Sequence, residues 1–351
     1  MRQVGCGSNS QAFPKLLKEL LYVDPIEPQT EASPKPAQPL ASRLKTCVRE
    51  GVRKALTTVL WLLSLMVPIS LAVTILSWTG VLSWAARGLI PVFHLVGLPA
   101  ETAVAFLTAV FLNIYSGIAA MSSVPLTDRQ ITILAMIMLI SHNFPVEGAV
   151  QKKTGSSLVG MLALRLVASL LAAYVLNLIL PAGDVAAHTR GVNVGGMAFW
   201  PMLAAWAVST AWLVGKVALI VVALMVLQAM LKEFGIIAIL SRPLYPILWL
   251  LGLPRKTAFL WIVANTIGLS YGSAVILEET AQGQIEPRDV ELLNRSIAIC
   301  HSLLEDTLLF VAIGAWALWI TLPRMALAAV AVWGYRAWRA VADARRASPE
   351  A

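Results

Sequence analysis

The sequence predicts an all-α integral membrane protein built as an inverted repeat. Each repeat is expected to hold three transmembrane helices, one interfacial helix and one re-entrant helical hairpin. Three observations carry this reading. Of 351 residues, 58% are apolar and only 13% charged, and the mean hydropathy of +0.75 is far above that of a water-soluble domain. Nearly charge-free segments recur at the length of about 20 residues that crosses a bilayer. The chain also repeats itself.

The N-terminal segment, residues 1–50, is expected to lie in the cytoplasm. Within it Ala12–Val23 (AFPKLLKELLYV) reads as a short surface helix and Asp24–Leu40 (DPIEPQTEASPKPAQPL) as a disordered, Pro-rich linker. No apolar stretch follows Met1-Arg2, so the first membrane helix is expected to act as its own insertion signal. Cys6, Cys47 and Cys300 have neither metal-ligand spacing nor a disulfide pattern. The net charge of +8 reads as membrane topology rather than nucleic-acid affinity, because basic residues collect on the cytoplasmic side.

The duplication is visible in two stretches, PVFHLVGLPAETAVAFLTAVFLNIYSGIAAM (91–121) and PILWLLGLPRKTAFLWIVANTIGLSYGSAVI (246–276). At an offset of 155, Pro91/Pro246, Gly97/Gly252, Pro99/Pro254, Thr102/Thr257 and Gly117/Gly272 coincide. After a four-residue insertion, at an offset of 159, Arg129/Arg288, His142/His301, Gly155/Gly314 and Arg165/Arg324 coincide, and Glu147 falls opposite Asp306. Apolar matches arise by chance in such a chain; paired His, Arg and acidic positions do not.

Residues 51–182 form the first repeat and 214–338 the second, with 183–213 as an extracytoplasmic loop and interfacial segment and 339–351 as a basic cytoplasmic tail. Each repeat opens with a full helix (57–79 and 214–234). A shorter amphipathic segment follows (82–97 and 236–252), then a hairpin (100–126 and 255–285). Two further spans close each repeat (127–150 and 156–181; 287–310 and 315–338). The hairpin is inferred from Asn113-Ile-Tyr-Ser-Gly117 and Ser270-Tyr-Gly272, small polar runs in mid-segment, and re-entrant backbone is tolerated where protein covers it. Charge supports this: with the hairpins re-entrant, Arg43, Lys45, Arg49, Arg53 and Lys54 fall on one side with Lys152, Lys153, Lys232, Arg255, Lys256, Arg288, Arg336 and Arg339. That side is expected to be the cytoplasm, with both termini in it. Met197–Val214, apolar and Trp-rich, is expected to lie at the outer interface or to extend the fourth helix.

The stretch ISHNFPVEGAV (140–150) places His142, Asn143, Pro145 and Glu147 inside a membrane helix, where ionisable groups are costly and by default functional. Pro145 cannot bond the Ser141 carbonyl and clashes with it, predicting a break at Asn143–Glu147. On an unbroken helix His142 and Glu147 would sit about 500° apart, off one face; an unwound turn relaxes this. The partner stretch ICHSLLEDTLLF (299–310) carries His301, Ser302, Glu305 and Asp306 but has no proline. The candidate substrate-binding residues are therefore Asn113, Tyr115, Ser116, Gly117, His142, Asn143, Glu147, Ser270, Tyr271, Gly272, His301, Glu305 and Asp306. Each His is also a candidate interhelical hydrogen-bond partner. Arg165 and Arg324 must pair at such depth, and Glu147 and Asp306 are the simplest partners, making the two Arg structural counter-ions. Two His with carboxylates also suit a divalent cation, held by His142, Glu147, His301 and Asp306.

The hairpin tips, the Ser-His or Cys-His helices with an acidic residue five on, and their repetition resemble the nucleoside-recognition, or gate, domain. That domain is similar to the core of concentrative nucleoside transporters and to the membrane gate of the bacterial ferrous-iron transporter, and occurs in spore-maturation membrane proteins. The resemblance covers roughly residues 50–338. It implies a solute site at Ser116, Gly117, Asn143, Glu147, Ser270, Gly272, Glu305 and Asp306. No G-x-x-x-x-G-K-[ST] loop exists in the chain, so the GTPase half of the iron transporter has no counterpart, nor do the helices flanking the core of full nucleoside transporters.

The expected function is a permease for a small solute, nucleoside-like or otherwise polar, in the bacterial plasma membrane and coupled to Na+ or H+. A divalent-metal permease and a non-transporting scaffold are the alternatives. Lipid, a small solute or ion, and a second copy or partner membrane protein are the expected partners; nucleic acid is not one. No organic cofactor fingerprint and no nucleophile–base pair point to an enzyme.

Overall fold

The structure is a computed structural model that describes residues 39–81, 84, 86–181, 196–236, 239, 243–266, 276, 279 and 285–347. Residues 1–38, the loop 182–195 and the second hairpin tip with Ser270, Tyr271 and Gly272 lie outside the described residues. The described chain is helical. Its elements are α1 (Leu40–Trp78), a 3-10 turn (Ala86–Leu89), α2 (Ile90–Leu95), α3 (Thr102–Phe111), α4 (Ile114–Met121), α5 (Asp128–Ser141), α6 (Phe144–Lys153) and α7 (Leu158–Ile179). Then come α8 (Phe199–Glu233), α9 (Tyr245–Leu250), a 3-10 turn (Arg255–Thr257), α10 (Ala258–Thr266), α11 (Pro287–Ile299), α12 (Glu305–Ala312) and α13 (Ala317–Ala347).

Among the described residues five helical segments are long and apolar enough to cross a membrane: α1, α5 with α6, α7, α8 and α13. Their outer faces carry Leu60, Trp61, Val167, Leu178, Val208, Leu219, Leu322 and Val330 exposed, a band of apolar surface that only lipid or protein can cover. The α5–α6 segment is the inner one: 67% of its apolar window is buried, against 22–33% for the other four. The sixth expected span, 287–310, is divided between α11 and α12, and α11 buries Asp289, Asn294 and Ser296. Such a helix belongs inside protein rather than against lipid.

α1, α8 and α13 are all longer than the spans the sequence predicts (57–79, 214–234 and 315–338), α1 and α8 as a pair. α8 is one helix of 35 residues: of the two readings of Met197–Val214, an interfacial segment or an extension of the fourth helix, the structure takes the second. Nothing between Phe199 and Glu233 breaks it, since Pro201 falls in the first turn, where no N–H donor is needed. α1 begins just after Pro39, the last proline of the linker, and runs through Pro68 for 39 residues, about 58 Å at 1.5 Å per residue. The two pack antiparallel along their length. Arg43 Nε lies 3.0 Å from Glu233 Oε1, Ser70 Oγ lies 3.4 Å from Thr210 Oγ1, and Trp78 Nε1 donates to Met197 O at 2.7 Å.

Polar side chains tie the helix ends together. At the end where α1 finishes, Thr74 Oγ1 meets Ser123 Oγ at 2.8 Å. There Arg129 donates to Asn177 O and Oδ1, both at 2.7 Å, and Asn177 Nδ2 donates to Leu95 O at 3.2 Å. At the opposite end Asn294 Nδ2 donates to Thr154 Oγ1 and Ser156 Oγ, each at 2.8 Å, and Ser156 also bonds Glu291. Lys256 Nζ lies 2.7 Å from Asp289 Oδ2 and 3.4 Å from Glu286 Oε1. Partial burial works against the Lys256 ammonium. The hydrogen bond to Asp289 and the two carboxylates outweigh it and hold its pKa above the usual lysine value.

Several local bonds occur twice, at separations of 155 or 159. Leu98 N donates to Phe93 O and Leu253 N to Leu248 O, both at 2.9 Å. Thr102 and Thr257 hydroxyls donate to Pro99 O and Pro254 O at 2.6 and 2.8 Å. Between these bonds Gly97 and Gly252 both turn at φ 72°. A Cβ on Gly97 would lie 2.0 Å from Asn177 Oδ1, so both the turn and the close approach require glycine.

Candidate functional site

α5 is started by a capping box in which Thr127 and Gln130 satisfy each other's backbone donors. It ends at Ser141. His142 is extended (ψ 161°), and Asn143 is left-handed (φ 52°, ψ 40°) before α6 starts, with Pro145 in its first turn. The chain stops at the same place in the other half: α11 ends at Ile299 and Ser302 is left-handed (φ 48°) before α12. Asn143 N donates to Ala109 O at 2.8 Å and Ser302 N to Ala264 O at 3.2 Å. Each interruption is thus anchored on the helix that precedes it, α3 or α10, at carbonyls 155 residues apart.

The interruptions bring their side chains to one point. His142 Nδ1 lies 3.0 Å from Met138 O and His301 Nδ1 2.7 Å from Ile297 O. A carbonyl only accepts, so each Nδ1 carries the proton and each Nε2 points inward. The two Nε2 atoms are 3.4 Å apart, with the ring centroids 5.1 Å apart. Glu147 Oε1 lies 3.1 Å from His142 Nε2 and 3.4 Å from His301 Nε2. Glu147 Oε2 lies 2.8 Å from Arg165 NH2. His142, Glu147, Arg165, His301, Asp306 and Arg324 are all buried, and the two Arg are 0% exposed.

Arg165 also closes the break. Its Nε donates to Ile140 O and its NH2 to His142 O, each at 2.7 Å, taking carbonyls that lack helical partners at the end of α5. It lies over the Phe144 ring, 5.0 Å from the centroid. Arg324 behaves differently: it donates to Ile320 O at 2.7 Å and Thr307 Oγ1 at 3.0 Å, and among the described residues it forms no ion pair with the expected partner Asp306. Asp306 is one methylene shorter than Glu147. Its Oδ2 is buried and has no hydrogen-bond partner among the described residues.

The first hairpin supplies one direct contact. Asn113 caps α4, its side chain accepting from Ser116 N at 2.9 Å. Tyr115, the second residue of α4, donates to Glu305 of the other half. Ser116 is buried, its hydroxyl without a partner among the described residues. Gly117 lies within α4 as a packing position: a Cβ there would be 2.6 Å from Ala109 Cβ and 2.5 Å from the Met138 methyl. The structure therefore gathers Tyr115, His142, Glu147, His301, Glu305 and Asp306, while Asn113, Gly117 and Asn143 shape the backbone around them. Thr307 and the acceptor carbonyls of Met138 and Ile297 were not foreseen from the sequence. Their signal is the His four residues after each carbonyl, at the end of its helix. A separate cavity of about 240 Å³ lies between α4, α5 and α8, lined by Met121, Ser122, Leu126, Trp212 and Lys216; the His cluster does not line it.

Among the described residues, five long apolar segments around a buried cluster of ionisable side chains define an all-helical integral membrane protein of transporter-like build. The profile of the gate family, described as nucleoside recognition, matches residues 59–156. The chain is 30% identical over 274 residues to the uncharacterized membrane protein YvoD of Bacillus subtilis (strain 168), an alignment that spans 77% of this chain and 88% of that protein. No solved structure matches. The chain belongs to the nucleoside-recognition, or gate, family of membrane proteins.

Proposed function

We propose that the chain is a non-enzymatic permease for a small polar solute, coupled to an ion, working as an inverted repeat in the bacterial plasma membrane. One observation carries this reading: helix interruptions from the two halves of the chain place His142, Glu147 and His301 within 3.1–3.4 Å of one another, buried among membrane-length helices. Burying ionisable groups there is costly without a use. Broken helices that meet at mid-membrane are the usual setting of a transporter's site.

The duplicated hydrogen bonds support the repeat, and the antiparallel run of α1 against α8 supports its inversion. The turn at Leu112–Asn113 and the packing of α3 on α4 support a hairpin that enters and leaves on one face, between the ends marked by Thr74 and Arg129. The end that gathers Arg43, Lys153, Lys256 and Arg336 is then cytoplasmic by the positive-inside rule. Tyr115 against Glu305 is the contact through which a hairpin would feel the state of the opposite half. Nucleosides are one candidate solute class, and a second copy or a partner membrane protein would cover the exposed apolar faces that lipid does not.

Uptake into proteoliposomes is the test. Under an imposed Na+ or H+ gradient, flux of at least one solute class is expected, lost in Glu147→Gln and in Asp306→Asn. Absence of gradient-dependent flux across nucleosides, bases, amino acids and small organic acids leaves a scaffold in its place.

A further inference from the structure

We infer that His142 Nε2, His301 Nε2 and Glu147 Oε1 are three ligands of a divalent transition-metal cation, of the Zn2+, Fe2+ or Mn2+ class, with Asp306 completing the site.

The argument begins with atom types. Both Nδ1 protons are committed to carbonyls, so with neutral rings the groups that converge are two imidazole lone pairs and a carboxylate oxygen. Three acceptors with no donor among them repel one another at 3.1–3.4 Å. Something positive must stand between them. The triangle they form has edges of 3.1, 3.4 and 3.4 Å. Ligands about 2.0–2.1 Å from a tetrahedral Zn2+ are about 3.3–3.4 Å apart, so the triangle is already one face of such a site. His142, His301 and Asp306 ligating atoms all lie within 4.8 Å of one another, and the buried Asp306 Oδ2 has no hydrogen-bond partner among the described residues.

The surroundings match as well. Metal-bound His donates its other ring nitrogen to a carbonyl, and a bound carboxylate is held from its second oxygen. Met138 O, Ile297 O and Arg165 occupy those positions here. With all three carboxylates ionised, Glu147, Glu305 and Asp306 outnumber Arg165 and Arg324 by one, leaving a negative site for a cation to offset. Imidazole with carboxylate selects the borderline divalent ions over Na+, Mg2+ or Ca2+, which prefer oxygen alone.

Whether the cation binds is independent of the permease reading; that it is the cargo or the coupling ion rests on it. The test uses full-length protein in detergent, stripped with chelator and titrated with Co2+. One Co2+ per chain is expected, with the strong visible absorption of four-coordinate cobalt. X-ray absorption of the Zn2+-loaded wild type should show two imidazole ligands. His142→Gln and His301→Gln should each weaken Co2+ binding by more than about 100-fold, beyond the loss caused by an outer-shell substitution, and His94→Ala, at an exposed position, should not change it. No stoichiometric binding by the wild type, or a Zn2+ shell without imidazole, overturns the site, and protons on Nε2 then hold the cluster. If binding fails while Glu147-dependent solute flux persists, the metal reading falls and the permease stands. If one cation binds and no solute or cation crosses, the permease falls and the site stands.

Discussion

At the residue scale the protein rests on a few buried charges that local sequence makes expensive and tertiary structure makes tolerable. Arg165 gives its guanidinium to two carbonyls at a helix end and to Glu147, a planar fork that Lys cannot reproduce. Removing one partner of a buried pair leaves the other uncompensated, at a cost of about 3–5 kcal/mol. Arg165→Met and Glu147→Gln are each expected to destabilise by that amount, and the double variant by clearly less than the sum, read as a double-mutant cycle from thermal unfolding in one detergent. Additive losses would mean the pair is not coupled. A second expectation concerns backbone conformation. Asn143 and Ser302 are left-handed, and that conformation costs a non-glycine residue about 1–2 kcal/mol, less for Asn. Ser302→Gly should therefore raise the melting temperature, Asn143→Gly should change it little, and Ser302→Val should lower it.

At the scale of elements, the sequence was readable wherever a local cause existed. ISHNFPVEGAV carries its break in Pro145, and the structure interrupts the helix at His142–Asn143, two residues before the ring. Its partner has no proline and is interrupted all the same. There the cause is tertiary: Ser302 N leaves its helix for Ala264 O, a contact no local pattern encodes. Pairing by offset pointed to the second break; propensity could not. The 197–214 segment is ambiguous for the opposite reason: its Trp-rich composition suits an interface, while the absence of a breaker lets the fourth helix extend, and the structure takes the extension. Arg165 with Glu147 was legible because one buried charge needs another, whereas Arg324 with Thr307 was not, because a hydroxyl leaves no charge signature. Gly117 reads in the sequence as a tip residue, and in the structure it packs within α4 against Ala109 of α3 and Met138 of α5. Gly117→Val is expected to lower stability by about 1–3 kcal/mol through overpacking, measured by thermal unfolding, and to loosen Tyr115 from Glu305.

At the scale of the whole molecule, everything turns on whether the 100–126 segment crosses the membrane. Helices α3 and α4 have 10 and 8 residues, so each alone covers about 12–15 Å, half of the roughly 30 Å apolar core. End to end they could span it; folded on each other they cannot. Gly117 against Ala109 and Ala105 places α4 back along α3, and Ser123 returns to Thr74 near the end of α1. A fold-back keeps Thr79 and Pro125 on one side, whereas a span separates them and reverses every later loop. In a cysteine-free background, single Cys at Thr79, Pro125 and Gly196 are expected to react with a membrane-impermeant maleimide on intact cells. Cys at Arg49, Lys153 and Arg345 should react only after permeabilisation. All six positions are exposed, so failure to label reports sidedness rather than burial. Opposite behaviour of Thr79 and Pro125 would remove the hairpin and the inversion, and would place Lys153 on the outside in conflict with the basic residues that share its end. The His cluster would survive that result as geometry, but its two halves would no longer face it from opposite sides of the membrane, and alternating access would lose its physical basis.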